Sequence, residues 1–401
     1  MQWTSVLSTE GDLGAALADA TGQLLERHAQ PIDLVVVFAS SEYRESWSDL
    51  PARLSTLFPD ALVFGSSAQG VLGEGEEHEQ GAALVLMGAT LPGVRADVMM
   101  LPEASDDHEA WAASLDIADA AGVLLLMDPF TCDAERVLEH LDGHAPRVPK
   151  VGGLASGGSR EGEHAFFCTG GTVTEGGIAL VLRGSIVVRP VVAQGCRPLG
   201  EPMIVMRRRG HLIDQLDRGR PVDVIRELLS GLEPGQRERA AQSLFLGLDV
   251  DSDKLDHEPT DFLIRSLIGV DPESGSLAVA ARLRDYQVVR FYVRDGDTAD
   301  EDLRQHVSGA CGSCRPRGGV AFCCMGRGQA LFGQPNHDAG VLRDGLGPGG
   351  VAGLFCNGEI GPVGSRTYLH SYTATVALFC APPDLPATLG AGISRKKDTP
   401  A

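Results

Sequence analysis

The chain has 401 residues, and 54 acidic against 34 basic side chains leave a formal charge of −20. A balance of that sign repels nucleic acid and anionic membrane, and no apolar run approaches the ~20 residues that a membrane span needs. No apolar stretch of signal-peptide type follows Met1, so the expectation is a cytoplasmic protein with no nucleic-acid and no membrane partner.

In chain order, the spacing of Leu13, Ala16, Leu17, Ala20, Leu24 and Leu25 predicts a helix within 1–31, ended by Pro31. An apolar run at 34–39 predicts a buried strand, 47–58 a helix, and 62–64 a strand running into Gly65-Ser66-Ser67. Runs at 82–87 and 94–101 predict a hairpin across a Pro-Gly turn. The same order then recurs: helix 111–120, strand 123–127, helix 133–141, and strand 150–154 running into Ala155-Ser156-Gly157-Gly158. Strands follow at 165–168, 178–182 and 186–193. Aligning Gly65 with Gly152 makes this a duplicated strand, helix, strand, glycine loop and hairpin unit, whose two loops are expected to face one crevice.

After Pro198 the pattern restarts. A helix is predicted at 222–229, strands at 243–248, 262–270, 277–282 and 288–293, a charged loop at 249–259, and a helix at 299–307. Buried strands at 320–324 and 351–356 then flank a helix, with a polar loop and a last strand at 373–379 beyond. The fold class is α/β: two domains with mixed sheets and outer helices.

Several familiar signatures are absent or out of place. Gly345-Leu346-Gly347-Pro348-Gly349-Gly350 has dinucleotide-loop spacing but follows a helix and precedes a strand, so it reads as a loop. No Gly-Lys-Ser/Thr occurs, and Gly65-Ser66-Ser67-Ala68-Gln69 lacks the second glycine of a nucleophile elbow. Of the nine cysteines, Cys168, Cys323, Cys324, Cys356 and Cys380 lie in apolar runs, and most cysteines are expected to be buried thiols. Cys311 and Cys314 form a CxxC. The candidate second pair, Cys323-Cys324, points to opposite faces of a strand, so no metal is expected.

Polar residues collect just past the two late strands. Arg327 lies three residues beyond Cys324, and Asn357 and Glu359 follow Cys356. The only two asparagines, Asn336 and Asn357, both fall in this stretch, as amide donors to a ligand or as turn residues. Arg327 offers a fork for a carboxylate and Glu359 a seat for an ammonium group, or the two pair with each other as a structural ion pair. His337 and His370 contact ligand or cap turns. The glycine loops, through Gly65, Ser66, Ser67, Gly153 and Ser156, present backbone N–H groups to an anion, or are tight turns only. Lys150 adds charge at the base of the second loop, or is a solvated surface lysine.

The run Asn357-Gly358-Glu359-Ile360-Gly361-Pro362 with Leu369-His370 resembles the hallmark of the C-terminal FIST domain, as do Gly326-Arg327-Gly328 and Pro335-Asn336-His337-Asp338. Residues 64–70 and 152–158 are similar to the N-terminal FIST domain, and the linking stretch 195–200 also fits; together the likeness spans about 33–379. It implies a FIST N-terminal domain over 1–195, a FIST C-terminal domain over 196–386 and a flexible tail over 387–401. The family's implied role is a sensory module that binds a small ligand such as an amino acid, here without a catalytic residue, cofactor or metal. With no recognisable output domain in the chain, a separate signalling protein is the expected partner. The competing readings are an enzyme using Cys324 or Cys356 with His337 or His370, and a protein-interaction scaffold.

Overall fold

The computed structural model describes residues 1–382 apart from 251–253, 255, 259–260 and 348–349; the tail expected over 387–401 and part of the charged loop expected over 249–259 lie outside the described residues. The fold is α/β and is built from three copies of one unit. The first comprises β1 (Gln2–Ser8), α1 (Leu13–Arg27), β2 (Leu34–Ser40), α2 (Leu50–Leu57), β3 (Leu62–Ala68), a small hairpin β4 (Val71–Gly73) and β5 (Glu76–His78), and β6 (Leu84–Thr90). The second comprises β7 (Val94–Leu101), α3 (His108–Ala113), β8 (Gly122–Met127), α4 (Ala134–His144), β9 (Lys150–Leu154), the hairpin β10 (Phe166–Cys168) and β11 (Gly171–Val173), and β12 (Gly177–Gly184).

The third begins with β13 (Val187–Ala193) and is then interrupted. Residues of β14 (Cys196–Arg209), β15 (Leu212–Leu216), α5 (Pro221–Ser230), α6 (Pro234–Gln242), β16 (Leu244–Asp249), β17 (Phe262–Val270), β18 (Leu277–Val279) and β19 (Val288–Arg294) form a separate body whose strands close into a barrel. The third unit resumes with α7 (Gly296–Ser313), β20 (Pro316–Cys324), α8 (Gln329–Phe332), α9 (His337–Leu346), β21 (Val351–Cys356), the hairpin β22 (Glu359–Val363) and β23 (Arg366–His370), and β24 (Ala374–Cys380).

Each unit builds a six-stranded sheet of one pattern, and each sheet is completed by a hairpin from another unit. The orders are β1-β6-β2-β3-β10-β11, β7-β12-β8-β9-β22-β23 and β13-β24-β20-β21-β4-β5. The second and third strands of each unit run parallel, because a helical connection returns the chain to the same sheet end. The sheets face one shared apolar core holding Phe38, Phe64, Leu124, Leu126, Phe166 and Phe322, with helices packed outside. Alternate residues of β2 divide between the shared core (Val36, Phe38) and the outer layer (Val35, Val37), and β8 and β20 do the same. Burial on both faces is why these strands read as unbroken apolar runs.

Three glycines mark the repeat. Gly65, Gly152 and Gly353 sit opposite Val37, Leu125 and Ala321, and a Cβ on any of them would lie 1.8, 2.1 or 2.4 Å from that partner's carbonyl oxygen. The stretches expected as polar or glycine loops therefore differ in part from expectation. Gly65, Ser66 and Ser67 lie within β3 and Glu359-Ile360-Gly361-Pro362 lies within β22, because a swapped hairpin supplies ladder partners for both segments, while Gly153 lies in β9, the strand expected over 150–154. Gln2–Ser8, expected within a helical segment, is a strand because β6 pairs along its whole length.

Residue 195 is where the chain leaves β13 for the barrel, and after the barrel the chain returns to the three-sheet body. Cys196 and Arg294 are register partners, so the barrel's two ends lie side by side. Replacing 196–294 by a short Gly-Ser link is accordingly expected to leave a soluble body with one cooperative thermal transition. The fragment 1–195 lacks β20, β21 and β24, leaves β13 unpaired and the β4–β5 hairpin without its β21 neighbour, and is expected to aggregate. Expression and calorimetry of both chains check this; a soluble, cooperatively melting 1–195 would contradict it.

Candidate functional site

The polar residues beyond β20 and β21 form a network in which one buried atom, Arg327 Nη1, has no hydrogen-bond partner among the described residues. Arg327 is fully buried and grips Asp338 with both prongs, Nε to Oδ2 at 2.5 Å and Nη2 to Oδ1 at 3.0 Å. Burial works against both charges, but their mutual attraction prevails: Asp338 is held well below the usual carboxylate range, and Arg327 becomes a still weaker acid. The expected ligand fork is thus occupied by a side chain of α9, eleven residues on, and its partner is Asp338 rather than Glu359. His337 lies between Asp338 Oδ1 at 2.9 Å and Asp300 Oδ1 at 2.7 Å and stacks on Phe332. Asn336 takes a left-handed conformation, and its Oδ1 accepts the Glu77 N–H at 2.8 Å, while Glu77 Oε1 accepts the Ala339 N–H at 2.9 Å. These two bonds clasp the first unit's hairpin to α9.

Glu359 is fully buried at a position where the other two units carry Val71 and Phe166. Its Oε2 accepts the Thr373 N–H at 2.9 Å, and the Cys356 thiol donates to Oε1 at 3.6 Å. Desolvation pushes its carboxyl up to about 8. His370 is buried too, with Nε2–H donated to the Gly361 carbonyl at 3.0 Å, and burial lowers it to about 4, so the ring stays neutral. Glu359 and His370 are register partners across the β22–β23 hairpin. With Arg327 and Glu359 sealed, the expected seat for a zwitterion between them is filled by protein groups.

The glycine-serine residues do meet the Asn357 turn, as packed structure. The Ser156 hydroxyl accepts the Gln69 N–H at 2.8 Å and donates to the Phe355 carbonyl at 2.5 Å. Asn357, exposed, donates Nδ2–H to the Ala155 carbonyl at 2.8 Å. Ser67 Oγ accepts the Ala165 N–H at 3.0 Å, and a Cβ on Gly153 would lie 3.0 Å from Cys356 Sγ. Ser66 is buried in β3, so the N–H groups expected to face an anion serve the sheet ladders instead. Lys150 is buried, donating to Asp142 Oδ1 at 2.8 Å and the Ala145 carbonyl at 2.5 Å, which excludes the solvated-lysine reading. Cys311 lies in α7, and Cys314 is in a disulfide with Cys380; the thiol expected at Cys380 is thus oxidised.

Open space lies elsewhere. A cleft of about 750 Å³ separates the barrel from α4 and β23, within the size range of small-molecule sites. Both walls carry charge. Glu135, Glu139 and Asp142 line the α4 side with Arg366 of β23 beside them; Arg265, Arg282 and Arg284 line the barrel side together with Asp249. Leu138, Leu248, Leu263 and Tyr368 supply apolar surface between them. Among the described residues Arg265 donates to two carbonyls, those of Ile264 and Leu369, and desolvation lowers its basicity. Asp249 is 2% exposed, accepts from Arg284 at 3.1 Å through Oδ1, and has no hydrogen-bond partner for Oδ2 among the described residues. None of these residues was singled out by sequence reasoning. They are ordinary charged residues on separate strands and a helix, and only the barrel's docking unites them.

The Glu359 position gives a prediction with a definite sign. Folded Glu359 holds its proton up to about pH 8, whereas its ordinary value is 4.5. Its contribution to stability is therefore complete below the ordinary value and is lost as pH rises through 8. Between pH 5 and 9 the urea midpoint of the native protein is expected to fall relative to that of Glu359→Gln; parallel pH profiles for the two would contradict this.

The FIST N domain matches residues 33–218 and the FIST C domain residues 221–362, so the join between the two falls inside the barrel. An uncharacterized protein of Mycobacterium tuberculosis (strain H37Rv) is 34% identical over 376 residues, covering 93% of this chain and 98% of its own length. An uncharacterized protein of Mycobacterium bovis is 35% identical over 377 residues, covering 92% and 97%. A solved structure of a cyanuric acid hydrolase, described as evolutionary innovation by structural concatenation, aligns over 95% of this chain and 100% of that one at 11% identity. Its TM-score is 0.32, a likeness too slight to carry an argument. No helix among the described residues is long and apolar enough to cross a membrane.

Proposed function

This chain belongs to the FIST family, whose domains are sensory domains of signalling proteins, and on that premise we propose that it is a cytoplasmic sensor of an amino acid or similar small metabolite. The ligand sits in the cleft between barrel and three-sheet body. The observation that carries this reading is that three acids of α4, Glu135, Glu139 and Asp142, and three arginines of the barrel, Arg265, Arg282 and Arg284, line one cleft, a pattern that fits a zwitterion. Arg265 takes the carboxylate, since no acid of the protein pairs with it among the described residues. The orphan oxygen of Asp249 takes an N–H of the ligand. Glu135 and Glu139 present negative charge from α4 toward an ammonium group.

A ligand that bridges the walls binds best at one setting of the barrel, so occupancy becomes a change of shape that a separate signalling protein reads. The barrel is joined to the body by two adjacent strands at Cys196 and Arg294, an arrangement suited to a hinge.

Thermal-shift screening with the twenty amino acids and small carboxylates is the test. At least one compound is expected to raise the melting temperature and to be recovered unchanged; turnover of that compound would favour an enzyme. Charge-assisted hydrogen bonds contribute roughly 1.5–3 kcal/mol each, so Arg265→Ala is expected to weaken binding by at least about tenfold by calorimetry, with little loss of stability.

A further inference from the structure

The three units differ sharply at one set of equivalent positions. Where the first unit has Ser40, Ala68 and Val71, the third has Cys324, Cys356 and Glu359. The second carries Ala155 and Phe166 at the latter two positions. The second unit has buried Asp128 at the first of them, but the first unit fills all three with small or apolar groups, so the fold itself does not require two thiols and a carboxyl there. Cys324 and Cys356 are register partners on parallel strands. Neighbouring strands lie roughly 4.8 Å apart, inside the Cα range that a disulfide spans. Cys324 continues the alternation of Val320 and Phe322 and Cys356 that of Ala352 and Leu354, so both thiols face the shared core from the same side of the sheet. Glu359 accepts the Cys356 thiol at 3.6 Å and lies close enough to Cys324 to bear on its acidity.

Cys324 is half-buried beside exposed Met325, so a molecule of peroxide size has a route to it. The Gly326 N–H points at its sulfur at 3.5 Å, and Arg294 lies nearby; each favours negative charge on that sulfur. Burial and Glu359 oppose them and push the thiol up to about 12, so a neighbouring proton acceptor is required for reaction.

We propose that Cys324 and Cys356 are a redox-convertible dithiol that senses hydroperoxides, with Glu359 as the proton acceptor. In molecules whose Glu359 is ionised, a fraction that grows as pH rises toward 8, the Cys324 proton passes to the Glu359 carboxylate, and the sulfur attacks one oxygen of hydrogen peroxide. The O–O bond breaks, Cys324 becomes a sulfenic acid, and the departing hydroxide takes the proton back as water. Cys356 sulfur then attacks Cys324 sulfur; the S–S bond forms, the S–O bond breaks, and the second hydroxide leaves as water with the Cys356 proton. Two thiols lose two electrons and one peroxide becomes two waters. Arg294, which donates to the Gly326 carbonyl, also lies over the Tyr372 ring at 5.0 Å, so oxidation at Cys324 acts where the barrel meets the body.

The test treats the full-length protein with hydrogen peroxide, denatures it in an alkylating reagent and maps the cysteines by peptide mass spectrometry. The expected result is a linked peptide pair containing Cys324 and Cys356. In Cys356→Ala, which takes the residue of the other two units and so should fold, Cys324 is expected to be trapped by dimedone as its sulfenic acid. In Glu359→Gln, with folding checked by its melting curve, oxidation is expected to slow roughly a hundredfold and to lose its dependence on pH. Alkylation of both cysteines after peroxide treatment would overturn the proposal, as would pairing of Cys324 with any other cysteine or an unchanged rate in Glu359→Gln.

Discussion

Arg327→Ala is expected to cost about 3–5 kcal/mol of stability, a large share of what a natural domain has. The substitution removes both bonds to Asp338 and leaves that carboxylate with no exposure to water, facing only His337. The cost is that of an unpaired buried charge, since two ions taken out of water recover their desolvation only while they remain together. It follows that Arg327→Ala combined with Asp338→Ala should lose much less than the sum of the single changes. Urea unfolding of the two single variants and the double variant measures the coupling. A loss below about 1 kcal/mol for Arg327→Ala would mean the pair is a solvated one, contrary to its burial.

The second large effect concerns the glycines that define the repeat. Gly65→Ala, Gly152→Ala and Gly353→Ala each drive a methyl group into a backbone carbonyl of the neighbouring parallel strand, at 1.8, 2.1 and 2.4 Å. Backbone cannot rotate away as a side chain can, so the strands must separate or slide, and each change is expected to lose about 3 kcal/mol or more. Gly143→Ala is the control. Gly143 lies in α4 with nothing within 4 Å of an added Cβ, and alanine there should gain up to about 1 kcal/mol. Thermal melts of the four variants separate steric conflict from a general intolerance of glycine replacement. Equal, small effects at all four sites would contradict the threefold register.

Much of the body was legible because burial on both faces writes long apolar runs, and the Gly65–Gly152 equivalence emerged from offset alone. Gly353 escaped because the barrel inserts 196–294 ahead of α7 and destroys the spacing. The hairpins β4–β5, β10–β11 and β22–β23 have strands of three to five residues and find their partners in other units, so of their strands only β10, an apolar run at 165–168, was announced locally. The site was legible in residue type more than in role. Arg327, His337 and Asn336 stand out by composition, yet their partners Asp338, Asp300 and Glu77 are fixed by tertiary packing. A motif of charged and amide residues past strand ends is equally the signature of a ligand site and of a sealed polar joint. Only the burial of Arg327 and Glu359 distinguishes them. The cleft at Arg265 and Asp249 has no sequence signature, since its walls come from α4, the barrel and β23.

Hydrogen exchange of the full chain, with and without the amino acid or carboxylate that shifts its melting temperature most, tests the assignment of the cleft. Protection is expected at 248–250, 263–265 and 281–287 on the barrel and at 365–369 on β23, and is expected to vanish in Arg265→Ala at the same concentration. Protection confined to other surfaces, or retained in full by Arg265→Ala, would contradict a ligand site between barrel and body.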